Sequence, residues 1–250
     1  MSLAEARYAL FLAPREPQAF WAFGSAMLGY DAATGERCPQ LAPDGVAAEA
    51  WARLTEEPRR YGFHATIKAP FRLAEGRSEG ELVSAIGAFA AIRAPFALDL
   101  AATLLGGFIA LTPRVTSLEA SALEAAAVAD FDHFRAPLSA DERRRRQAAE
   151  LTARQSALLE RYGYPYVLDE FRLHFTLSGH APAPFRDGLL RAIDALYARA
   201  VGSTPVVANG LSLFRQEDST SRFRIVETFP FAQGASAAAS TRGPVGVPAS

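Results

Sequence analysis

The chain has 250 residues, half of them apolar, and a formal net charge of −1. This length can bury a sizeable core as one large domain or two small lobes, and the near-neutral charge argues against extended contacts with nucleic acid or a membrane surface. The single cysteine excludes an internal disulfide and a thiolate metal cluster, which favours the cytoplasm. The start, MSLAEARYALFLAP, has no basic segment leading into a long apolar one, so we expect neither a signal peptide nor a membrane anchor.

Apolar patterning predicts strands and helices in mixed order along the chain. Runs bounded by Gly or Pro predict strands at 7–13 and 63–71, two strands joined near Thr103 within 96–113, a strand at 171–179 and a final hairpin at 206–216 and 221–231. Helical spacing of apolar residues predicts helices at 17–28, 46–55 and 184–200, with a loop over 29–45.

Three Ser/Thr-x-x-Glu boxes predict further helix starts, because the hydroxyl can cap the first turn while the carboxylate returns to the cap residue. Ser78 with Glu81 predicts a helix over 79–93, and Thr116 with Glu119 predicts one over 117–134. Ser139 with Glu142 predicts a longer helix that runs to Tyr162.

This order of elements is typical of an α+β fold of two similar lobes rather than of a doubly wound sheet. We therefore predict a single bilobal domain over residues 1–231. Residues 232–250 are rich in Ala, Ser, Gly and Pro without periodicity, which predicts a disordered tail.

Two of the four histidines share one sequence context. His64 is followed two residues later by Thr66, and His174 by Thr176. Residues i and i+2 of a strand point to the same face, so each pair is predicted on one polar face opposite an apolar one. Lys68, the only lysine in a chain with 25 arginines, is predicted on the same face as His64 and Thr66. Arg172 and Ser178 are predicted on the same face as His174 and Thr176.

Two imidazoles and two hydroxyls in one cleft suit phosphodiester chemistry without a metal. Because imidazole has an ordinary pKa of about 6.5, one ring can take a proton from water while the other protonates the leaving oxygen. Thr66 and Thr176 could hydrogen-bond the phosphoryl oxygens, and Lys68 or Arg172 could clamp the charge. Tyr61, just before the first motif, could stack on a base or a sugar.

The remaining polar features are weaker candidates. His180 could fold over the rim of the cleft, and His133 is predicted at the surface of a helix. The ERRRR run at 142–146 is typical of a solvated helix, although one of its arginines could reach the cleft and hold a phosphate. No recognisable metal-ligand spacing occurs in the sequence, so we expect no metal site.

The two motifs resemble those of the two-histidine (2H) phosphoesterase superfamily, which has His-φ-[Ser/Thr]-φ once in each of two pseudo-symmetric lobes. Within it, RYGFHATIKAPFRL and FRLHFTLSGH are similar to a bacterial branch linked to phosphonate metabolism, whose genes lie beside those of carbon–phosphorus lyase. The resemblance covers residues 7–231. It implies a mainly antiparallel sheet flanked by helices in each lobe, a cleft between the sheets, His64 and His174 as acid and base, and no cofactor.

The resemblance implies a hydrolase acting on cyclic phosphates or related diesters, here a small substrate such as a ribose cyclic phosphate from phosphonate catabolism. An enzyme of RNA ends, acting as a 2′,3′-cyclic phosphodiesterase or a 2′,5′-ligase, remains an alternative. The second alternative is a non-catalytic nucleotide-binding protein that uses the same cleft. The oligomeric state stays open.

Overall fold

A computed structural model of the chain describes residues 6–15, 17–147 and 150–232. The strands are β1 (Arg7–Leu12), β2 (Ala65–Arg72), β3 (Phe96–Leu98), β4 (Leu100–Leu105), β5 (Phe108–Pro113), β6 (Phe175–Thr176), β7 (Val206–Ala208), β8 (Gly210–Gln216) and β9 (Arg224–Pro230). The α-helices are α1 (Gln18–Leu28), α2 (Ala48–Leu54), α3 (Glu56–Arg59), α4 (Glu79–Ala91), α5 (Leu118–Asp130), α6 (Ala140–Gln147), α7 (Ala153–Tyr162) and α8 (Arg186–Ala200). All but the first residue of the tail predicted at 232–250 lies outside the described residues.

Seven of these strands form one antiparallel sheet in the order β4-β5-β6-β2-β1-β8-β9, and β3 pairs separately with β7. The predicted α+β fold with antiparallel pairing is confirmed. In the described part of the chain the two motifs do not lie in two separate sheets with a cleft between them, because β6 pairs with β2 on one side and with β5 on the other. The short strand β6 thus joins β2 and β5 in one sheet, and both motifs lie in that sheet.

Three helices pack against one face of this sheet. Helix α1 contacts β6, helix α4 contacts β1, and helix α5 contacts β2. On that face Phe175 meets Phe20 of α1 at 5.2 Å between ring centroids. Lys68 Nζ donates to the Val128 carbonyl of α5 at 3.1 Å. The Tyr8 hydroxyl donates to Glu79 of α4 at 2.8 Å. The opposite face of these strands is thus left for the candidate site.

Side-chain caps mark where several helices begin, and they correct two of the predicted helices. The box of Ser78 and Glu81 is present at α4, as predicted. Helix α5 begins after Ser117 rather than Thr116, because the Ser117 hydroxyl accepts the Ala120 amide. The single helix predicted from Ser139 to Tyr162 is two helices, since Thr152 and Gln155 form a capping box of their own that starts α7.

The turn between β4 and β5 lies at Gly106 and Gly107, not near Thr103 as predicted. Both glycines have positive φ, 56° and 125°, which the chain can adopt there without a Cβ penalty. Thr103 instead lies within β4, opposite Ala110. The described residues include no helix with the length and apolar character needed to cross a bilayer.

Candidate active site

The two His-x-Thr motifs lie side by side on one face of the sheet. Ala65 of β2 pairs with Phe175 of β6 in antiparallel register, which sets His64 opposite Thr176 and Thr66 opposite His174. These four residues share a face because each lies one residue from the Ala65–Phe175 pair. The two histidines are diagonal neighbours, a relation that places Cα atoms about 7–8 Å apart, within reach of side chains of this length.

Both imidazoles are held by the same hydrogen bond. His64 Nδ1 lies 2.9 Å from the Gly62 carbonyl oxygen, and His174 Nδ1 lies 2.7 Å from the Arg172 carbonyl oxygen. A carbonyl oxygen only accepts, so Nδ1 of each ring carries the hydrogen. Each neutral ring therefore presents an Nε2 lone pair, the atom that can take up a proton and give it back.

His64 sits among aromatic rings. It stacks on Phe11 with 3.8 Å between centroids, and Phe214 and Tyr61 each lie 6.1 Å away. The pKa of His64 is lowered to about 4, mainly by burial among these rings; the Gly62 carbonyl opposes this shift, and the charge of His174 adds to it. His64 is therefore neutral at neutral pH, as a general base must be.

His174 is half-buried and directly precedes the first residue of β6. Its ring centroid lies 5.8 Å from that of Phe108. Burial lowers the pKa of His174 below its ordinary value, and the Arg172 carbonyl works against that shift because it accepts from the protonated ring as well. Of the strand predicted at 171–179, only Phe175–Thr176 is a regular strand. The position of His174 is therefore fixed by its hydrogen bond to the Arg172 carbonyl as well as by the pairing of β6.

A cavity of about 570 Å³ lies over this face, a size typical of a site for a small molecule. Its walls include His64, Thr66 and Thr176, with Phe108 beside His174. Thr66 Oγ1 lies 3.3 Å from His64 Nε2 and donates to it. The Thr176 hydroxyl makes no hydrogen bond within the described part of the chain. The Thr176 hydroxyl is thus placed to donate to a bound oxyanion, and the Thr66 hydroxyl can do so by turning away from His64 Nε2.

Lys68 does not lie on the face of His64 and Thr66, contrary to the prediction. Phe11 pairs with Thr66, whereas the preceding residue Leu10 pairs with Lys68, so Ile67 is an extra residue in β2. Such a bulge breaks the alternation of side chains. Lys68 consequently shares a face with Leu10, on the helix-packed side of the sheet.

On that side the Lys68 ammonium binds the end of helix α5. It is 3% exposed, donates to the Val128 carbonyl and lies 3.7 Å from Asp132 Oδ1. Burial lowers its pKa to about 8, and the Asp132 carboxylate opposes that shift. A cation at the last carbonyls of a helix stabilises that end. Lys68 is therefore a structural residue in this fold.

We expect Lys68→Met to change kcat/KM by less than about threefold, because its side chain lies behind the sheet. The lowered pKa gives a second readout. Between pH 8 and 10.5 the unfolded chain binds more protons than the folded one, so wild-type stability gains there as pH rises. Urea unfolding across this range should show a smaller gain for Lys68→Met. If Lys68→Met lost activity but kept the stability of the wild type, Lys68 would belong to the active site after all.

Of the other weaker candidates, two line the cavity and one does not. Tyr61 lines the cavity and stacks on Phe223 at 5.1 Å, so its ring is available to a ligand on one side only. Ser178 also lines it, but its hydroxyl accepts from the Ile109 amide and donates to the Gly179 carbonyl, both at 2.9 Å. The Arg172 side chain is exposed and does not line the cavity; its carbonyl is what serves His174.

The cavity instead takes its positive charge from Arg7, Arg145 and Arg146. Two of these belong to the arginine run that we predicted as a solvated helix, with one arginine able to reach the cleft. Arg7 was missed, although its alternation with Phe11 along the regular strand β1 places both on one face. His180 lies at the rim, where its ring is 5.8 Å from Phe108, and His133 is exposed as predicted.

The described residues hold no group of three or more His, Cys, Asp and Glu side chains placed to bind a metal ion. The site thus consists of two imidazoles, two hydroxyls and a cationic wall. It can bind an anion and move protons to and from it.

The chain is similar to known proteins over most of its length. Ribose 1,5-bisphosphate phosphokinase PhnN of Janthinobacterium sp. (strain Marseille) is 37% identical over 229 residues, 90% of this chain and 51% of that protein. The chain spans about half the length of the curated relatives it matches.

Two solved structures show distant likeness. TT0787 of Thermus thermophilus is 14% identical with a TM-score of 0.45, over 91% of this chain and 99% of that one. E. coli LigT complexed with 3′-AMP is 13% identical with a TM-score of 0.41, over 92% and 99%. The family model described as "Protein of unknown function (DUF1045)" matches residues 66–224, which hold Thr66 and the whole second motif. The chain therefore belongs to the DUF1045 family.

Proposed function

We propose that the chain is a metal-independent phosphodiesterase that opens a small cyclic phosphate with His64 and His174 as its acid–base pair. The observation that carries this proposal is the matched placement of the two imidazoles. Each donates Nδ1–H to the carbonyl two residues before it, and both lie on one face beside two threonines. This arrangement leaves two Nε2 atoms for one phosphoryl group.

The reaction follows from these atoms. The Nε2 of one neutral histidine takes a proton from water as the water oxygen bonds to phosphorus. The ring P–O bond breaks, and the other histidine, protonated at Nε2, gives its proton to the leaving oxygen. The products are a phosphate monoester and a free hydroxyl. Thr66 and Thr176 stabilise the charge on the non-bridging oxygens by hydrogen bonding.

The surroundings of the two rings assign their roles. His64 is packed more tightly among aromatic rings, and burial takes its pKa to about 4. The first proton taken up by the pair therefore goes to His174, whose positive charge is one of the causes of the lowered pKa of His64. We assign His64 as the base and His174 as the acid in hydrolysis.

The proposed substrate is a cyclic phosphate of a ribose derivative, linked to phosphonate catabolism through the branch that the motifs resemble. A relative that shares 229 aligned residues with this chain is named for a ribose 1,5-bisphosphate kinase. Opening a 1,2-cyclic phosphate at its bond to O2 would yield a ribose 1-phosphate group, the anomeric group in that compound. The proposal thus places this reaction one step before such a kinase.

Phosphorus NMR of the purified chain with a panel of cyclic phosphates, in the presence of EDTA, tests the proposal. The panel should hold ribose 1,2-cyclic phosphates and nucleoside 2′,3′-cyclic phosphates. We expect conversion to a monoester at a rate that the chelator does not change. Binding without turnover would favour a nucleotide-binding protein, and turnover of oligonucleotide ends alone would favour an RNA enzyme.

The pKa shifts predict the pH dependence. His64 must be neutral, so kcat/KM should fall on the acid side through a pKa of about 4. His174 must be protonated, and its pKa in the free protein is below 6.5, so the alkaline limb also lies below 6.5. We expect the maximum of kcat/KM on the acid side of neutrality. A maximum above neutrality would mean that the reaction does not depend on one neutral and one protonated histidine with these lowered pKa values.

A further inference from the structure

Three arginines form a cationic wall at one end of the cavity. Arg7 comes from β1, and Arg145 and Arg146 come from α6. Arg146 Nη2 donates to the Pro70 carbonyl of β2 at 3.2 Å, which fixes this helix near the end of β1 that carries Arg7. The three guanidinium groups thus belong to one cluster, which we call the arginine wall.

No carboxylate of the described residues forms an ion pair with the arginine wall. Arg7 donates to the Gln216 side chain, and Arg146 donates to main-chain carbonyls and lies over the Tyr164 ring, 5.2 Å from its centroid. Glu142 acts on Arg7 and Arg146 from a distance, but its carboxylate binds Arg72 and the Ser139 amide. Glu57, elsewhere on the cavity lining, is exposed.

Uncompensated cations that are partly buried are costly unless an anion joins them. Burial lowers the pKa of Arg7 and of Arg146, so both are held where solvent screens them poorly. Guanidinium groups bind phosphate oxygens in pairs, and three of them match the charge of a phosphate monoester better than that of a diester.

The arginine wall is separate from the histidine pair. Arg7 and Phe11 both line the cavity and lie four residues apart on a regular strand, about 13 Å at ~3.3 Å per residue. Phe11 stacks on His64, so it marks the reacting end. A ligand that contacts both ends therefore meets the acid–base pair at one end and the guanidinium groups at the other.

We propose that the arginine wall binds a second phosphate of the same substrate, a monoester remote from the cyclic phosphate that the histidines open. This inference rests on the proposed function. The substrate class is then a sugar cyclic phosphate that also bears a phosphate monoester. The cavity volume of about 570 Å³ suits a molecule of that size.

Two matched substrates test it: ribose 1,2-cyclic phosphate with and without a phosphate on O5. Wild type should prefer the doubly phosphorylated compound. Arg145→Met should lower kcat/KM for that compound about 10–100-fold, mainly through KM, because a charge-assisted contact to phosphate is lost. For the compound without that phosphate the loss should stay within about threefold, because it offers the arginine wall no monoester to bind. Arg144→Met, one residue earlier, exposed and ion-paired with Asp141, is the matched control and should change neither.

The outcomes separate the two proposals. Equal losses on both compounds in Arg145→Met, or no wild-type preference, would overturn the second-phosphate subsite and leave the phosphodiesterase standing. If neither compound is turned over, calorimetric binding of ribose 5-phosphate to wild type and Arg145→Met decides the subsite by itself. Weaker binding in the variant supports the subsite, and equal or absent binding overturns it. Arg145 is chosen first because its exposed side chain makes no contact on which folding depends.

Discussion

His64→Gln and His174→Gln should each lower kcat for cyclic phosphate opening by about 10²–10⁴, the range for loss of a general acid or base. Glutamine keeps a polar side chain of similar length but cannot exchange a proton at the position of Nε2. Rates are measured by phosphorus NMR at several pH values. The acid limb of the pH profile should disappear in His64→Gln, and the alkaline limb in His174→Gln.

The matched control is His133→Gln, since His133 is exposed and lies outside the cavity. We expect wild-type kinetics from it. Circular dichroism should show that all three variants keep the fold. If either motif variant stays within about threefold of wild type, that histidine performs no proton transfer and the mechanism is wrong.

Gly24→Ala should lower the free energy of unfolding by about 1–3 kcal/mol, the cost of overpacking a core. A Cβ on Gly24 would lie 2.1 Å from the Phe63 ring. That ring is fully buried between Phe20 and Phe175, at 5.0 and 5.4 Å between centroids, so it has no room to move. Because Phe63 directly precedes His64, we also expect kcat to fall.

Gly80→Ala supplies the control within another helix. No atom lies within 4 Å of the Cβ that this substitution adds. Alanine at this helical site should raise the free energy of unfolding by about 0.5–1 kcal/mol. Urea unfolding of both variants at one pH measures the difference. Equal stability of Gly24→Ala and wild type would mean that α1 does not pack against Phe63 as described.

The core of the site was predictable from sequence because its geometry is local. The two-residue spacing of His64 and Thr66, and of His174 and Thr176, was enough to place each pair on one face, and antiparallel register then brought the pairs together. The apolar partners Ala65 and Phe175 were likewise predicted on the opposite face, where they are fully buried.

The cationic part of the site was not predictable in the same way. The bulge at Ile67 reverses the side-chain alternation, and neither Gly nor a turn motif marks it, so Lys68 was placed on the wrong face. Arg7 and Arg146 reach the cavity from distant parts of the chain, through strand order and helix packing that local patterns do not encode. The single sheet was missed for a similar reason, since β6 is too short to indicate its two neighbours.

A crystal structure of the protein with inorganic phosphate, or with a cyclic phosphate analogue that cannot be hydrolysed, tests the central claim most directly. The account predicts one phosphoryl group with His64 Nε2 and His174 Nε2 both within about 2.6–3.2 Å of its oxygens. The Thr66 and Thr176 hydroxyls should donate to the same group. A phosphoryl group bound by one histidine alone, or the two Nε2 atoms directed away from a common point, would contradict it.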